Sequence, residues 1–249
     1  MIPPCLTVVF CALAAGFAAG VHGAVGIGFP MVATPLLAMV LDVKTAVLVL
    51  VLPTVLINTI NILKGGNWKN SIAPYWPLAL YGIAGSFLGT QALVTAPAEF
   101  FRPLLACILI LYLNAERLGV GFSWIPAHPK MATAFFGTAA GLLGGTVNVM
   151  LPALVILSLE IKMDKTAMIQ VFNLCFLTGK LTQAAVLLTT GHFTAKILQT
   201  SLVLALVCPL IMILAMGFRN RIRGKTHRKW MRRLLALMSG VLLIQTLMG

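Results

Sequence analysis

Long stretches of this chain contain no charged residue, and this limits its fold more than any other feature of the sequence. Asp, Glu, Lys and Arg make up only 9% of the chain, whereas a water-soluble domain carries about a quarter. A transmembrane helix needs roughly 20 mostly apolar residues, and several uncharged runs reach that length. The sequence therefore predicts an all-α, polytopic membrane protein. The uncharged runs are 1–41, 45–63, 70–98, 131–159, 197–218 and 234–249.

The positive charge of the chain lies in short segments between the apolar runs. A net charge of +13 in a soluble protein would suggest nucleic-acid binding. Here the densest basic segment, 219–233, is instead expected to form a cytoplasmic loop that contacts anionic lipid, because Lys and Arg concentrate on the cytoplasmic side of membranes. No nucleic acid is expected as a partner.

The sequence contains no pattern typical of an enzyme or of a cofactor site. The five cysteines lie in apolar runs without metal-ligand spacing, and the four histidines are scattered along the chain with no HExxH-type spacing. An intramembrane enzyme would need paired carboxylates, a metal cluster or a nucleophile with its base, but the carboxylates all lie at loop edges. We therefore predict no catalytic residue, no bound metal and no cofactor.

Several short patterns occur twice, in the same order and at similar spacing, which indicates an internal duplication. In addition, the interval from Gly28 to Pro35 equals that from Gly145 to Pro152. The sequence predicts a first repeat at 1–118, a linker at 119–130 and a second repeat at 131–249. The matched segments are 42–46 with 163–167, 66–68 with 191–193, and 101–106 with 231–236.

Each repeat is predicted to open with two short apolar pieces, a broken and re-entrant-like pair, and to continue with three transmembrane helices. A glycine-rich break joins the two pieces of each pair. The pieces are predicted at 5–21 with 29–41 and at 132–143 with 149–159, and the long helices at 45–63, 74–95, 101–118, 165–189, 195–217 and 229–247.

The distribution of Lys and Arg predicts that the two repeats have opposite orientations in the membrane. If each opening pair enters and leaves on one side, each repeat crosses an odd number of times and the second is inverted. With the N-terminus outside, the outside loops then hold only Lys44, Arg102 and Lys196. If each pair were one broken span, the segment 219–233 would face outside, against the positive-inside rule. Inverted repeats are an architecture of secondary transporters.

The two glycine-rich breaks are the predicted substrate site. Irregular backbone at membrane depth must be hydrogen-bonded by protein or by a water-filled cavity. A helix that begins after such a break presents free N–H groups and the positive end of its dipole, which favours an anion. The residues predicted to contact the substrate at the breaks are His22, Gly23, Gly26, Gly28, Thr34, Gly144, Gly145, Thr146 and Asn148.

Close helix packing is the alternative role of the glycines. We predict this packing role for three glycine pairs with GxxxG spacing, namely Gly16 with Gly20, Gly85 with Gly89, and Gly137 with Gly141.

Lys180 is an ionisable residue well inside an apolar run, and such a residue marks a functional site by default. Contact with substrate or with a counter-ion is its preferred role, and snorkelling of the long side chain to the interface is the alternative. Asn58, Gln170 and Asn173 lie on the same predicted helix or on its counterpart and are also predicted to line the site. Asn61, Thr178 and Gln183 line the cavity or join helices.

The glycine-rich stretches resemble the TauE/SafE family of sulfite and organosulfonate exporters. The resemblance rests on Gly23, Gly26 and Gly28 leading to the Thr-Pro-Leu at 34–36, and on the glycines at 137–145 leading to Pro152. It implies a permease of the bacterial inner membrane for anions such as sulfite or sulfoacetate, working by alternating access. A passive anion channel and a transporter of another small solute are the alternatives. A homodimer is left open. The exact substrate is also left open, because Asn148 and Met150 depart from the small residues of the family pattern.

Overall fold

The computed structural model describes residues 4–118, 123–217, 233, 236 and 239–244. Within these residues the fold is entirely helical and contains no strand, which confirms the predicted all-α class. Short 3₁₀ turns at Ala73–Tyr75 and Ala98–Phe100 precede the helices that begin at Trp76 and Phe101. The helices are α1 Pro4–Val25, α2 Phe29–Ala38, α3 Val43–Val49, α4 Val51–Gly65, α5 Trp68–Ser71, α6 Trp76–Thr95, α7 Phe101–Leu118, α8 Trp124–Ala127, α9 Pro129–Val147, α10 Leu151–Glu160, α11 Lys165–Thr189 and α12 Ala195–Met216.

Within the described residues, four helical stretches are long and apolar enough to cross a membrane. The bent pair of α3 and α4 adds a fifth if it is counted as one span. The predicted last helix at 229–247 and the basic segment 219–233 lie largely outside the described residues. The four stretches are Leu6–Val25, Trp68–Thr95, Lys165–Thr189 and Ala195–Met216.

The helix that follows the first opening pair is bent, although the sequence pattern predicts one straight helix over 45–63. The axes of α3 and α4 differ by 47° across Leu50. Pro53 lies in the first turn of α4, where it lacks an N–H to donate and its ring crowds the carbonyl one turn earlier. The bend directly before this proline therefore has a local cause.

The breaks between the opening helices are shorter than predicted, and most of the glycines assigned to them are helical. α1 continues through Gly23 to Val25, and α9 continues through Gly145 to Val147. α1 is therefore a full-length helix and not a short piece. The irregular backbone is confined to residues 26–28 and 148–150.

Left-handed residues produce both breaks. Gly26 and Gly28 have φ angles of 95° and 99°, and Asn148 has a φ of 64°. Glycine adopts this region without steric cost, and asparagine is among the few other residues that tolerate it. In each half, a helix thus ends at a left-handed residue and a short helix of 10 residues begins directly after the break.

The opening helices pack against the opposite half of the chain. α1 lies along α12, and α9 lies along α6. In the first pair, a Cβ on Gly23 would come within 2.3 Å of the Met212 carbonyl oxygen. In the second pair, a Cβ on Gly141 would come within 2.1 Å of the Gly82 carbonyl oxygen. Glycine thus permits backbone contact between these helices, as in other membrane helix pairs.

The two halves share matching local features at equal intervals. Asp42 caps the N-terminus of α3 by accepting a hydrogen bond from Thr45 N, and Asp164 caps α11 by accepting one from Ala167 N. The two caps therefore align Asp42 with Asp164. The sequence match of 42–46 with 163–167 instead pairs Asp42 with position 163, one residue earlier.

The prolines of the short helices α2 and α10 indicate the same alignment of the two halves. Pro30 is the second residue of α2, and Pro152 is the second residue of α10. Pro152 therefore corresponds to Pro30, whereas the sequence spacing paired it with Pro35, which lies inside α2. The interval that separates Pro30 from Pro152 also separates Asp42 from Asp164.

Candidate functional site

A buried hydrogen-bonded group surrounds the side chain of Lys180, which is only 1% exposed. Lys180 lies more than two turns from either end of α11. Its Nζ donates hydrogen bonds to Asn148 Oδ1 in the second break and to Gln183 Oε1 one turn further along α11. Both acceptors are neutral, and no carboxylate within the described residues pairs with Lys180.

Asn148 connects Lys180 to the first half of the chain. Its left-handed backbone ends α9, and its Nδ2 donates a 3.0 Å hydrogen bond to Thr34 Oγ1 on α2. Thr34 and Asn148 are both fully buried. The chain of hydrogen bonds from Lys180 through Asn148 to Thr34 therefore spans both opening pairs. We call Thr34, Asn148, Lys180 and Gln183 the Lys180 cluster.

The backbone around the Lys180 cluster is held by further contacts to the second opening pair. Gln183 Nε2 donates a 2.8 Å hydrogen bond to the Gly145 carbonyl. The Met150 side chain fills the space beside two glycines, since a Cβ on Gly144 or on Gly179 would lie 2.3 or 2.5 Å from Met150 Cε. Side chains larger than hydrogen at either glycine would displace Met150 from the break.

A second buried polar group lies at the first break. Gly26 N donates a 2.6 Å hydrogen bond to the His22 carbonyl, and the Gly26 carbonyl accepts a 2.8 Å hydrogen bond from Asn173 Nδ2 on α11. The His22 ring accepts from Phe29 N at 3.1 Å through Nδ1 and contacts the Asn61 carboxamide through Nε2. We call His22, Gly26, Asn61 and Asn173 the Gly26 cluster.

Few backbone N–H groups remain at the start of the short helices to bind an anion. Phe29 N already donates to His22, and the second residue of each short helix is a proline without an N–H. The positive end of each helix dipole still points into its break. Direct hydrogen bonds to an anion would therefore have to come mainly from side chains, and Lys180 is the charged donor among them.

Three of the other residues predicted to contact the substrate lie outside both clusters. Gly23 and Gly145 lie in helix contacts, where added Cβ atoms would meet the carbonyls of Met212 and Ser86. Thr146 donates within α9, to the carbonyl of Leu142. These positions agree with the packing role that the sequence left open for the glycines.

Comparison with known protein families gives one match over nearly the whole chain. The family model described as Sulfite exporter TauE/SafE matches residues 11–246, nearly the whole chain. The chain belongs to the TauE/SafE family. Members of this family are membrane transporters of sulfite or related anions and not enzymes. No curated protein and no solved structure matches the chain.

Within this TauE/SafE protein, two residues of the clusters are absent from the predicted substrate contacts. Gln183 follows Lys180 by one helical turn, and Asn61 follows Asn58 by one turn, so each shares a helix face with a predicted residue. The sequence alone leaves their role open between lining a cavity and joining helices. Their positions in the clusters become clear only from the helix packing.

Proposed function

We propose that this protein is a secondary transporter that moves a small anion, sulfite or an organosulfonate such as sulfoacetate, across the bacterial inner membrane. The observation that carries the proposal is the buried Lys180 ammonium with only neutral acceptors. A buried charge without a counter-charge is costly, and a bound anion would offset that cost. An ammonium has three N–H donors, so one remains for the substrate beside Asn148 and Gln183.

Two inverted repeats, in which the opening helix of each repeat packs against the other repeat, would suit alternating access. The packing of α1 on α12 and of α9 on α6 is the pairing expected for this arrangement. It supports repeats at 1–118 and 131–249. The positive-inside rule, and not the packing, is the reason to place the N-terminus outside and the basic segment 219–233 in the cytoplasm, where anionic lipid would bind it.

The substrate would compete for the hydrogen bonds that close the site. All four residues of the Lys180 cluster are buried, so an anion must displace some of their mutual contacts to reach the ammonium. The bond from Asn148 to Thr34 joins the two opening pairs, and breaking it would let them move apart. Export would be driven by the inside-negative potential, which contributes about 2.3 kcal/mol per charge per 100 mV.

Counterflow in proteoliposomes tests this function directly. Vesicles loaded with unlabelled sulfite or sulfoacetate and diluted into labelled substrate are expected to take up label transiently, because a carrier exchanges substrate across the membrane. Uptake should saturate with external substrate, and chloride inside the vesicles should not replace the anion. A flux that stays proportional to concentration and ignores internal substrate would contradict a carrier and favour a channel.

A further inference from the structure

The buried interior of the protein contains a single charged side chain within the part of the chain that the structure describes. Of the Asp, Glu, Lys, Arg and His side chains described, only Lys180 and His22 are buried. His22 Nδ1 accepts a hydrogen bond from Phe29 N at 3.1 Å, whereas a protonated imidazole donates from both ring nitrogens. His22 is therefore neutral, and the ammonium of Lys180 is the only buried charge among these side chains.

The Lys180 ammonium fixes the direction of two carboxamides. It can only donate hydrogen bonds, so Asn148 and Gln183 both turn their oxygens towards it. The nitrogens of these amides then donate to Thr34 Oγ1 at 3.0 Å and to the Gly145 carbonyl at 2.8 Å. Thr34 is thus held as an acceptor, and its own O–H must point away from Asn148.

The O–H of Thr34 has no acceptor within the described residues. Thr54 and Thr90, which are also buried in helices, each donate to the carbonyl one turn earlier, at 2.6 and 2.7 Å. Thr34 makes no such bond, although its side chain is fully buried. A buried hydroxyl hydrogen without an acceptor costs free energy, so this O–H marks a place for an acceptor that a ligand supplies.

The hydrogen atoms of the Lys180 cluster that are not yet used are all donors. Two of the three N–H bonds of the ammonium are engaged, which leaves one. The O–H of Thr34 and a second N–H on each carboxamide complete the set. The acceptor oxygens of Asn148 and Gln183 already face the ammonium. A ligand at this cluster therefore meets one positive charge and several donors, which suits an oxyanion.

The low dielectric constant of the membrane interior makes the charge of that oxyanion important. The Born cost of moving an ion into such a medium is already large for one charge, and it rises with the square of the charge. A monoanion beside Lys180 leaves the buried site neutral. A dianion would leave one buried negative charge, and the described residues provide no second buried cation to offset it. Binding a dianion therefore costs more than binding a monoanion with the same headgroup.

We propose that the Lys180 cluster selects its substrate by charge and takes a singly charged sulfur oxyanion. Sulfite would enter as hydrogensulfite, and a sulfonate without a second ionised group would bind better than sulfoacetate, which also carries a carboxylate. That this selection governs transport rests on the proposed function, but the binding preference itself does not. A monoanion also retains the single charge on which export by the membrane potential depends.

Sulfoacetate and its amide, sulfoacetamide, test this preference because they share their size and their sulfonate group but differ by one charge. Thermal unfolding of the purified protein in an uncharged detergent, at constant ionic strength, measures their binding, since a ligand of the native state raises its stability. Half-maximal stabilisation should need at least about 10-fold less sulfoacetamide than sulfoacetate. Lys180→Met should lose the stabilisation by sulfoacetamide, and any shift that it keeps is a general effect of the salt.

Gln183→Lys should reverse the order of the two anions. It places a second ammonium one helical turn from Lys180 on α11, so sulfoacetate should then bind more tightly than its amide. Gln199→Lys is the matched control, because it adds the same charge at an exposed position of α12 and should keep the wild-type order. The comparison of the two anions on the wild-type protein needs no variant, so it decides the question even where Gln183→Lys does not fold.

Wild-type protein that binds sulfoacetate as tightly as sulfoacetamide, or that neither anion stabilises, would overturn the proposal. The wild-type order in folded Gln183→Lys would also overturn it. In each case, normal counterflow of sulfite would leave the transporter standing and remove only its selection by charge. Counterflow that is absent for sulfite and for both sulfonates would instead contradict the proposed function, whichever anion binds more tightly.

Discussion

Replacing Lys180 with methionine is expected to weaken sulfite binding about 10- to 100-fold and to reduce counterflow in proportion. A hydrogen bond to a charged group contributes about 1.5–3 kcal/mol, and about 1.4 kcal/mol is tenfold in affinity. Methionine has a similar length and no charge, so it fills the same buried space. Concentration-dependent counterflow in proteoliposomes measures the effect, with the amount of folded protein determined for each variant.

Lys196→Met is the matched control for this experiment. Lys196 is exposed at the start of α12, so its replacement removes the same charge from the chain without touching the Lys180 cluster. Counterflow in the control should equal that of the wild type. Normal affinity in folded Lys180→Met would mean that the ammonium does not contact the substrate, and it would leave the buried charge of Lys180 as a structural feature only.

Replacing Gly85 with alanine is expected to lower the stability of the protein by about 1–3 kcal/mol, the usual cost of overpacking a tight contact. The added Cβ would lie 2.0 Å from the Thr138 carbonyl oxygen and 2.8 Å from Leu142 N. Both are backbone atoms of α9, so only a separation of α6 from α9 can relieve the clash. Thermal unfolding in detergent should show a clearly lower Tm.

Gly82→Ala is the control for Gly85→Ala. Gly82 lies one turn earlier on α6, in the same contact, and its nearest atom to an added Cβ is the Gly137 carbonyl oxygen at 3.9 Å. This variant should unfold near the wild-type temperature. Equal loss of stability in both variants would show that the close approach of α6 to α9 is not what makes glycine necessary at position 85.

The sequence predicts the bounds of several long helices well, because these bounds coincide with caps or with changes in hydropathy. α7 and α11 have the predicted bounds of 101–118 and 165–189. The sequence prediction of the breaks is wrong because glycine has two roles in membrane helices. Gly23 and Gly145 allow helix contact, whereas Gly26 and Gly28 supply a left-handed backbone, and composition does not separate these roles.

The candidate site is only partly visible in the sequence. Lys180 is conspicuous because it is a charge inside an apolar run, but its partners are not. Asn148 and Thr34 lie in different halves of the chain, and their hydrogen bond depends on how α2 meets the second break. The buried amide oxygens of Asn58 and Asn173, which have no hydrogen-bond partner in the part of the chain that the structure describes, cannot be predicted either, since they depend on which way each amide faces after packing.

Accessibility of position 34 from the two sides of the membrane tests the central claim, that the buried cluster opens alternately to each side. Thr34→Cys would be introduced into a chain whose native cysteines are replaced by serine or alanine and which retains counterflow. Thr34 is fully buried, so labelling by a membrane-impermeant thiol reagent reports opening. Alternating access predicts labelling from both sides, at rates that sulfite changes in opposite directions or lowers on both. Labelling from one side only, at a rate that sulfite leaves unchanged, would contradict it.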